Sequence, residues 1–386
     1  MPIYNVNTKI KKIYKGTELI KKGYAGSNLV YTSETPESTI FFDLTSSNPA
    51  NITGDVNAGA IANILSKAGR CLCKKTDNGK VTICRLKNDD GTKYYDNSAA
   101  TLTGTQGDVM VYLPEFWYKN VKNGNVLEMA FSEIAKEGYV HVSASLVGAY
   151  KSYKSSSKLY SRSGVIPTTY DGQPNFISYA QARGTGYNII DYYQHCMIAL
   201  LFYAKYGTRN SQAVLGIGNA NTSTNMGGTN SLGNRDTQNA TTGWVNFLGI
   251  EGVYGVYYEC MNGVIINNRV WTISGVDGIS TRTVTAGSSD GWIKNIAAEN
   301  GSYFDMIPIA VGGSETTYYT DYYTQSSANT VSWRSGSSNL TNDGISYIHA
   351  YYVPEQSLIN MTSRLSFRGE ITEETNVTTF KALPVL

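Results

Sequence analysis

Residues 312–352 read GGSETTYYTDYYTQSSANTVSWRSGSSNLTNDGISYIHAYY, and this stretch is the most informative part of the chain. It consists mostly of Tyr, Ser, Thr, Asn, Asp and Gly, together with one Trp. Tyrosine and tryptophan offer large, rigid contact areas, and serine, asparagine and glycine offer adaptable hydrogen bonding, as in antibody combining sites. The stretch has no helical or strand periodicity, although core-like sequence surrounds it. We therefore interpret it as a displayed binding surface on a folded scaffold.

The candidate ligand contacts are the polar and aromatic side chains of this stretch. Trp333 is the candidate anchor, because buried aromatic side chains contribute much of the binding energy of interfaces. Neighbouring residues of a strand point to opposite sides, so we expect about half of the tyrosines to be exposed. Arg334 fits a ligand contact and a structural ion pair equally well. The full set is Thr317, Tyr318, Tyr319, Asp321, Tyr322, Tyr323, Asn329, Ser332, Trp333, Arg334, Ser335, Ser337, Ser338, Asn339, Asn342, Asp343, Tyr347, His349, Tyr351 and Tyr352.

Composition narrows the class of protein. The 386 residues are enough for two or three domains with a substantial core. Charged residues make up 16% of the chain, below the roughly 25% of an average globular protein, and there are 30 tyrosines. This composition predicts β-rich structure with long ordered loops. The net charge of +2 gives no electrostatic case for binding nucleic acid.

The chain also lacks the usual signals for membranes, secretion and disulfides. No apolar run approaches the roughly 20 residues that a membrane span needs. The first residues, MPIYNVNTKIKK, lack the apolar core of a signal peptide, so we expect synthesis in a bacterial cytoplasm and no membrane insertion. Five cysteines without paired CxxC spacing favour neither a disulfide framework nor a zinc site.

The pattern along the chain predicts several elements. Residues 1–38 read as short strands with glycine turns, ending in a linker, and residues 39–104 as a small α+β region with a helix over 55–68. The clearest helix covers 189–206, with Asn188 as its N-cap and Gly207 after its end. Residues 211–243 read as a long loop. Residues after 370 read as a tail whose apolar end docks on the fold.

Four stretches resemble a known family: GDVMVYLPEFWYK at 107–119, YGTRNSQAVLGIG at 206–218, GIEGVYGVYYECMNG at 249–263 and SRLSFRG at 363–369. They are similar to the C-type-lectin-like fold of formylglycine-generating enzymes and of phage tail receptor-binding proteins. The latter include the variable proteins of diversity-generating retroelements, the major tropism determinant class. The chain departs from the family's G-x-E-N-x-W-G-N-V-W-E-W pattern at Gly252, Tyr254, Val256 and Tyr258.

The resemblance implies an α+β chain with a C-type-lectin-like domain and long ordered loops over 105–371, a β-rich virion-attachment segment over 1–38, and a tail over 372–386. It implies a phage tail-tip adhesin that recognises a host-surface protein or glycan and contacts other tail proteins through its N-terminus. We expect a homotrimer in the virion, with the N-terminal strands and residues 211–243 as subunit contacts. In the variable proteins of retroelements, the diversified codons are mostly AAY, and replacement of their adenines yields the residue types that dominate 312–352. The resemblance therefore predicts a hypervariable surface. The alternative is a fixed segment that is merely rich in tyrosine.

Two other classes of function compete with this interpretation. A structural tail or baseplate component would pack the aromatic stretch against another phage protein. An enzyme is not expected, because there is no cysteine after Cys260 for formylglycine chemistry, and adjacent helical residues such as His195 and Cys196 do not face each other. No catalytic motif or carboxylate pair stands out, and we expect no cofactor. Asp89-Asp90-Gly91 reads as a turn, although a structural Ca²⁺ is left open there.

Overall fold

The computed structural model describes residues 37–336 and 340–385 in full, together with the backbone of four short strands near the N-terminus. Many short strands in several sheets combine with a few helices, which confirms the α+β class. The remainder of the predicted attachment segment and the Ser33–Pro36 part of the linker lie outside the described residues. The helices are α1 (Gly59–Lys67), α2 (Gln173–Gln181), α3 (Tyr192–Tyr206), α4 (Ser211–Leu215) and α5 (Val377–Ala382), with short 3-10 turns at Asn230–Leu232 and Ala297–Asn300.

Two seven-stranded sheets carry most of the structure. The first, which we call the core sheet, contains in spatial order Tyr187–Ile189, Leu365–Phe367, Ser145–Gly148, Asp108–Leu113, Gly69–Asp77, Lys80–Arg85 and Glu370–Glu373. The second, which we call the C-terminal sheet, contains Pro308–Val311, Gly291–Ile296, Tyr322–Gln325, Ile348–Ala350, Trp333–Arg334, Tyr258–Cys260 and Met361–Thr362.

Smaller sheets surround these two. A five-stranded sheet contains Val140–Val142, Phe116–Asn123, Val126–Ser132, Ser38–Asp43 and Ile52–Gly54. Two three-stranded sheets contain Thr237–Gln238, Val245–Phe247 and Ile250–Glu251, and Val264–Asn267, Val270–Ile273 and Arg282–Thr285. Hairpins pair Tyr153–Ser155 with Lys158–Tyr160, Tyr14–Lys15 with Glu18–Leu19, and Lys22–Ala25 with Asn28–Thr32.

Helix α3 is the central helix, and every residue from Tyr192 to Ala204 is buried. It begins later than the sequence predicted. Asp191, not Asn188, is the N-cap: its carboxylate accepts a hydrogen bond from the Gln194 N–H at 2.7 Å, and the Gln194 side chain accepts from the Asp191 N–H. Asn188 instead lies in the edge strand of the core sheet. Gly207 ends the helix with a φ of 64°, as expected.

The predicted boundary between 104 and 105 falls inside one folded unit. Strand Gly69–Asp77 pairs with Asp108–Leu113, and Ser38–Asp43 pairs with Val126–Ser132. Pro114 and Glu115 separate the strand that ends at Leu113, in the core sheet, from the one that begins at Phe116, in the five-stranded sheet. The proline therefore marks the point where the chain passes from one sheet to the next.

The interpretation of residues after 370 as a tail is wrong for most of that segment. Strand Glu370–Glu373 pairs in parallel with Lys80–Arg85 at the edge of the core sheet. Phe380 of α5 is fully buried, as the apolar pattern predicted. The Lys74 ammonium group, also buried, donates hydrogen bonds to backbone carbonyls of 380, 381 and 383. These contacts anchor the C-terminal segment to the fold.

Candidate ligand-binding surface

The tyrosine-rich stretch supplies the three central strands of the C-terminal sheet, namely Tyr322–Gln325, Ile348–Ala350 and Trp333–Arg334. The expectation of a stretch without regular structure is therefore wrong in part. Each strand is only two to four residues long. Loops separate the strands, so no period of two develops along the sequence, although the strands are paired in space.

One side of this sheet is lined with aromatic rings. Residues that pair directly across neighbouring strands point to the same side of a sheet. Trp292 pairs with Tyr322, and His349 pairs with both Thr324 and Trp333. Alternation along the chain places Tyr347 and Tyr351, two residues before and two after His349, on the same side as His349. We call this side the aromatic face and define it by Tyr258, Trp292, Tyr322, Tyr347, His349, Tyr351 and Tyr352.

The rings of the aromatic face contact one another. His349 stacks on Tyr352 with ring centroids 4.5 Å apart and lies 5.2 Å from the ring of Tyr258. Tyr351 meets Tyr352 edge-on at 5.7 Å. Such pairs contribute roughly 0.5–1.5 kcal/mol each beyond the area they bury. Because the rings hold each other in place, little side-chain entropy remains to be lost when a partner binds.

Exposure varies across the face. Tyr351 is 54% exposed, Trp292, Tyr322 and Tyr352 are half-buried, and His349 is buried at the base. Burial lowers the pKa of His349 to about 4. The His349 ring is therefore neutral near pH 7 and contributes apolar and weakly polar surface.

Exposed apolar side chains extend the surface beyond the predicted stretch. Tyr170 is 61%, Ile359 58% and Val353 42% exposed. The backbone N–H of Tyr170 donates to the carbonyl of Leu358 at 3.2 Å, which places Tyr170 beside the loop that follows Tyr352. The sequence analysis missed these three residues, because an isolated apolar residue in a loop has no pattern that distinguishes an exposed position from a buried one.

The structure separates the predicted contact residues into groups. Asn329 and Tyr351 are exposed, whereas Thr317, Tyr318, Tyr322, Asn342 and Tyr352 are half-buried. Ser337, Ser338 and Asn339 lie outside the described residues. The remaining ten are buried, which corrects the expectation that they are displayed: Tyr319, Asp321, Tyr323, Ser332, Trp333, Arg334, Ser335, Asp343, Tyr347 and His349.

Trp333 is not an exposed anchor. Its side chain is 0% exposed and belongs to one buried cluster with Cys260 and Met361. Tyr352 and Leu358, from the following loop, pack against that cluster. Trp333 pairs with His349 and therefore lies on the same side of the sheet as the aromatic face. Because its side chain is buried there, a partner has no access to it in this conformation.

Arg334 takes part in a buried ion cluster. Of its two interpretations, a ligand contact or a structural ion pair, the structure therefore favours the ion pair. The carboxylate of Glu259 lies 3.0 Å from Arg364, 3.1 Å from Lys151 and 3.6 Å from Arg334. Burial alone would raise the pKa of Glu259, but the charges of Arg364, Lys151 and Arg334 lower it to about 2. Burial lowers the pKa of Lys151 to about 7.

Asp321 also has an internal role. Its carboxylate accepts hydrogen bonds from the backbone N–H of Gly344 at 2.7 Å and of Ser346 at 2.8 Å. Burial raises its pKa to about 8, although these two hydrogen bonds oppose the shift. Asp321 therefore fixes the turn before strand Ile348–Ala350 instead of contacting a ligand.

The sequence candidates His195 and Cys196 are both buried in helix α3. Burial raises the pKa of the Cys196 thiol and lowers the pKa of His195. Asp90 accepts hydrogen bonds from Thr92, as in a turn. Within 37–336 and 340–385, no group of three or more His, Cys, Asp or Glu side chains is placed to hold a metal ion.

The chain matches no family model, and no curated protein matches it. Among the helices of the described chain, none is long and apolar enough to cross a membrane.

Proposed function

We propose that this chain is a receptor-binding protein of a phage or prophage tail tip, and that the aromatic face binds a host-surface ligand. The observation that carries the proposal is the gathering of seven aromatic rings on one side of the C-terminal sheet, with Tyr351 at its exposed edge. Tyrosine and tryptophan dominate the energetics of binding surfaces, and their hydroxyl and indole groups supply the polar rim.

Further parts of the proposal rest on the resemblance. The ligand is a host-surface protein or glycan, the fold is C-type-lectin-like, and the N-terminal segment attaches the chain to other tail proteins. The chain acts as a homotrimer in the virion, and several copies raise a weak single-site affinity through multivalency.

Cell binding by purified variants tests the proposal. We expect Tyr322→Ala combined with Tyr351→Ala to weaken binding of the labelled chain to host bacteria at least about tenfold, as loss of interface hot spots does. Tyr95→Ala is the matched control, because Tyr95 is 58% exposed but lies outside the face. Equal binding by the double variant and the control would contradict the proposal.

The DNA around the gene tests whether the surface is hypervariable. A second copy of the stretch encoding 312–369 beside a reverse-transcriptase gene, differing only at adenines, would establish diversification. We expect amino-acid differences among sibling isolates to concentrate at accessible residues such as Asn329 and Tyr351, and to spare Trp333 and Asp321. If no such copy exists and the aromatic face is buried in the assembled tail, the chain would instead be a structural component of the tail.

A further inference from the structure

A concave site that shares no residue with the aromatic face lies at the open edge of the core sheet. It is a cleft of about 630 Å³, within the roughly 300–1,000 Å³ usual for small-molecule sites. Residues from well-separated parts of the chain line it, among them Asn78, Gln181, Asn188, Asn262 and Arg368. Nothing in the aromatic face depends on this cleft.

The cleft does not offer a strand edge to a peptide. Its wall is the edge strand Tyr187–Ile189, and three of the outward backbone groups of this strand are already bonded within the chain. The Tyr187 N–H donates to the Gly184 carbonyl at 3.2 Å, and the Ile189 N–H donates to the side-chain oxygen of Asn188 at 2.8 Å. The Ile189 carbonyl accepts from the Ser366 hydroxyl at 3.0 Å. Pairing with an added strand would require those bonds to break.

The charged groups of the cleft are compensated. The guanidinium of Arg368 lies 2.7 Å from the Asp191 carboxylate and 3.4 Å from Asp277. Of the residues that line the cleft, only Arg368 and Asp191 are charged, and they neutralise each other; Asp277 lies outside the lining. The pair forms a fixed, neutral wall with both donor and acceptor atoms.

The amide side chains remain available. Within the residues that the structure describes, the side chains of Gln181 and Asn262 make no hydrogen bond, and Asn78 and Asn188 use only their oxygens. Each free amide offers two donors and one acceptor. Alternating donors and acceptors match adjacent hydroxyl groups, which both donate and accept. The residues that line the cleft include no aliphatic side chain that would favour an apolar ligand.

We propose that this cleft binds a neutral saccharide through the amides of Asn78, Gln181, Asn188 and Asn262. A site built to bond hydroxyl groups rejects ligands that lack them, because its polar groups are then left without partners. The site is independent of the aromatic face, so it would stand even if the proposed receptor-binding function were wrong.

Saturation-transfer NMR tests the site with a mixture of the methyl glycosides of glucose, galactose, mannose and N-acetylglucosamine. We expect transfer to at least one glycoside with the unmodified chain. Gln181→Leu combined with Asn262→Leu keeps the side-chain size but removes the amides, and should reduce the signal at least fivefold, since each lost hydrogen bond costs about 1 kcal/mol. Asn267→Leu, at an exposed asparagine outside both the cleft and the tyrosine-rich stretch, should leave the signal unchanged.

Further measurements keep the outcome unambiguous. Thermal melting must show the double variant folded like the control. Absence of transfer to all four glycosides would overturn the proposal, and so would an undiminished signal in the folded double variant. Tyr351→Ala should keep the full signal, because loss there would place the saccharide on the aromatic face. Stronger transfer to glucuronate than to methyl glucoside would show that charge, not hydroxyl bonding, directs binding.

Discussion

Polar side chains buried beneath the aromatic face hold its strands together. Glu259 and Arg334 pair across neighbouring strands, and Arg364 and Lys151 reach the same carboxylate from other parts of the chain. All four side chains are at most 1% exposed. Removing one partner from such a cluster leaves charges buried without compensation, which costs more than the pair itself contributes.

Substitution of Glu259 should therefore destabilise the chain strongly. We expect Glu259→Gln to lower the free energy of unfolding by about 3–5 kcal/mol, because three cations lose their carboxylate. Urea denaturation followed by circular dichroism measures this. Glu370→Gln is the control, since the ion pair of Glu370 with Lys80 is exposed and should contribute at most about 1 kcal/mol. Equal midpoints for the two variants would show that the cluster is not important for stability.

His349 should make stability depend on pH. Its pKa in the folded chain is about 4, below the ordinary 6.5, because burial disfavours the charged ring. The unfolded chain therefore binds the proton first as pH falls. The stabilisation is fully present above about pH 6.5 and is lost as pH falls toward 4.

The matched variant is His349→Phe, which keeps a ring in the stack. Between about pH 7.5 and pH 5, this variant should lose about 2 kcal/mol less unfolding free energy than the unmodified chain. Denaturant titrations at the two pH values measure the difference. If both proteins lose the same unfolding free energy between the two pH values, His349 takes up its proton without cost. His195, whose pKa burial also lowers, contributes acid sensitivity to both proteins alike.

At the scale of elements, the start of helix α3 is tied to the wall of the cleft. Asp191 caps α3 and also holds Arg368, which lines the cleft. The helix itself is buried all round, so its position depends on the cap and on packing rather than on an amphipathic stripe.

Two substitutions at Asp191 separate its roles. Asn is as good an N-cap as Asp, so Asp191→Asn should remove only the charge opposite Arg368. Asp191→Ala should lose a further 1 kcal/mol or so, because the Gln194 N–H loses its acceptor. Thermal unfolding of the two variants measures the difference. If Asn and Ala destabilise equally, the cap has no measurable effect and the ion pair dominates.

At the scale of the whole molecule, the C-terminal segment closes the core. Removal of residues 374–386 would take away the buried ring of Phe380 and the carbonyl groups that accept hydrogen bonds from Lys74. We expect a loss of at least about 3 kcal/mol, the usual cost of emptying a buried phenylalanine site. Removal of only 385 and 386 is the control. Equal melting temperatures would show that the segment is a dispensable tail.

The sequence by itself determined the features that depend on local chemistry. Gly207 after α3 follows from backbone freedom, and the structure has it where the pattern predicts. The periodicity over 55–68 also predicts a helix, which the structure has in shorter form as α1. The start of α3 was misplaced, because Asn188 and Asp191 are both good caps and only strand pairing at the sheet edge excludes the first.

Only the tertiary structure decided which residues of the tyrosine-rich stretch are accessible. Tyr351 and Trp333 are of similar chemical type, yet one is half exposed and the other is fully buried. Tyr258 and Trp292 lie far from that stretch in sequence, but strand pairing brings them to the same face. The physical reason is that exposure depends on what packs over a residue from elsewhere in the chain. Composition fixes the chemistry of a surface, whereas strand order and register fix its location.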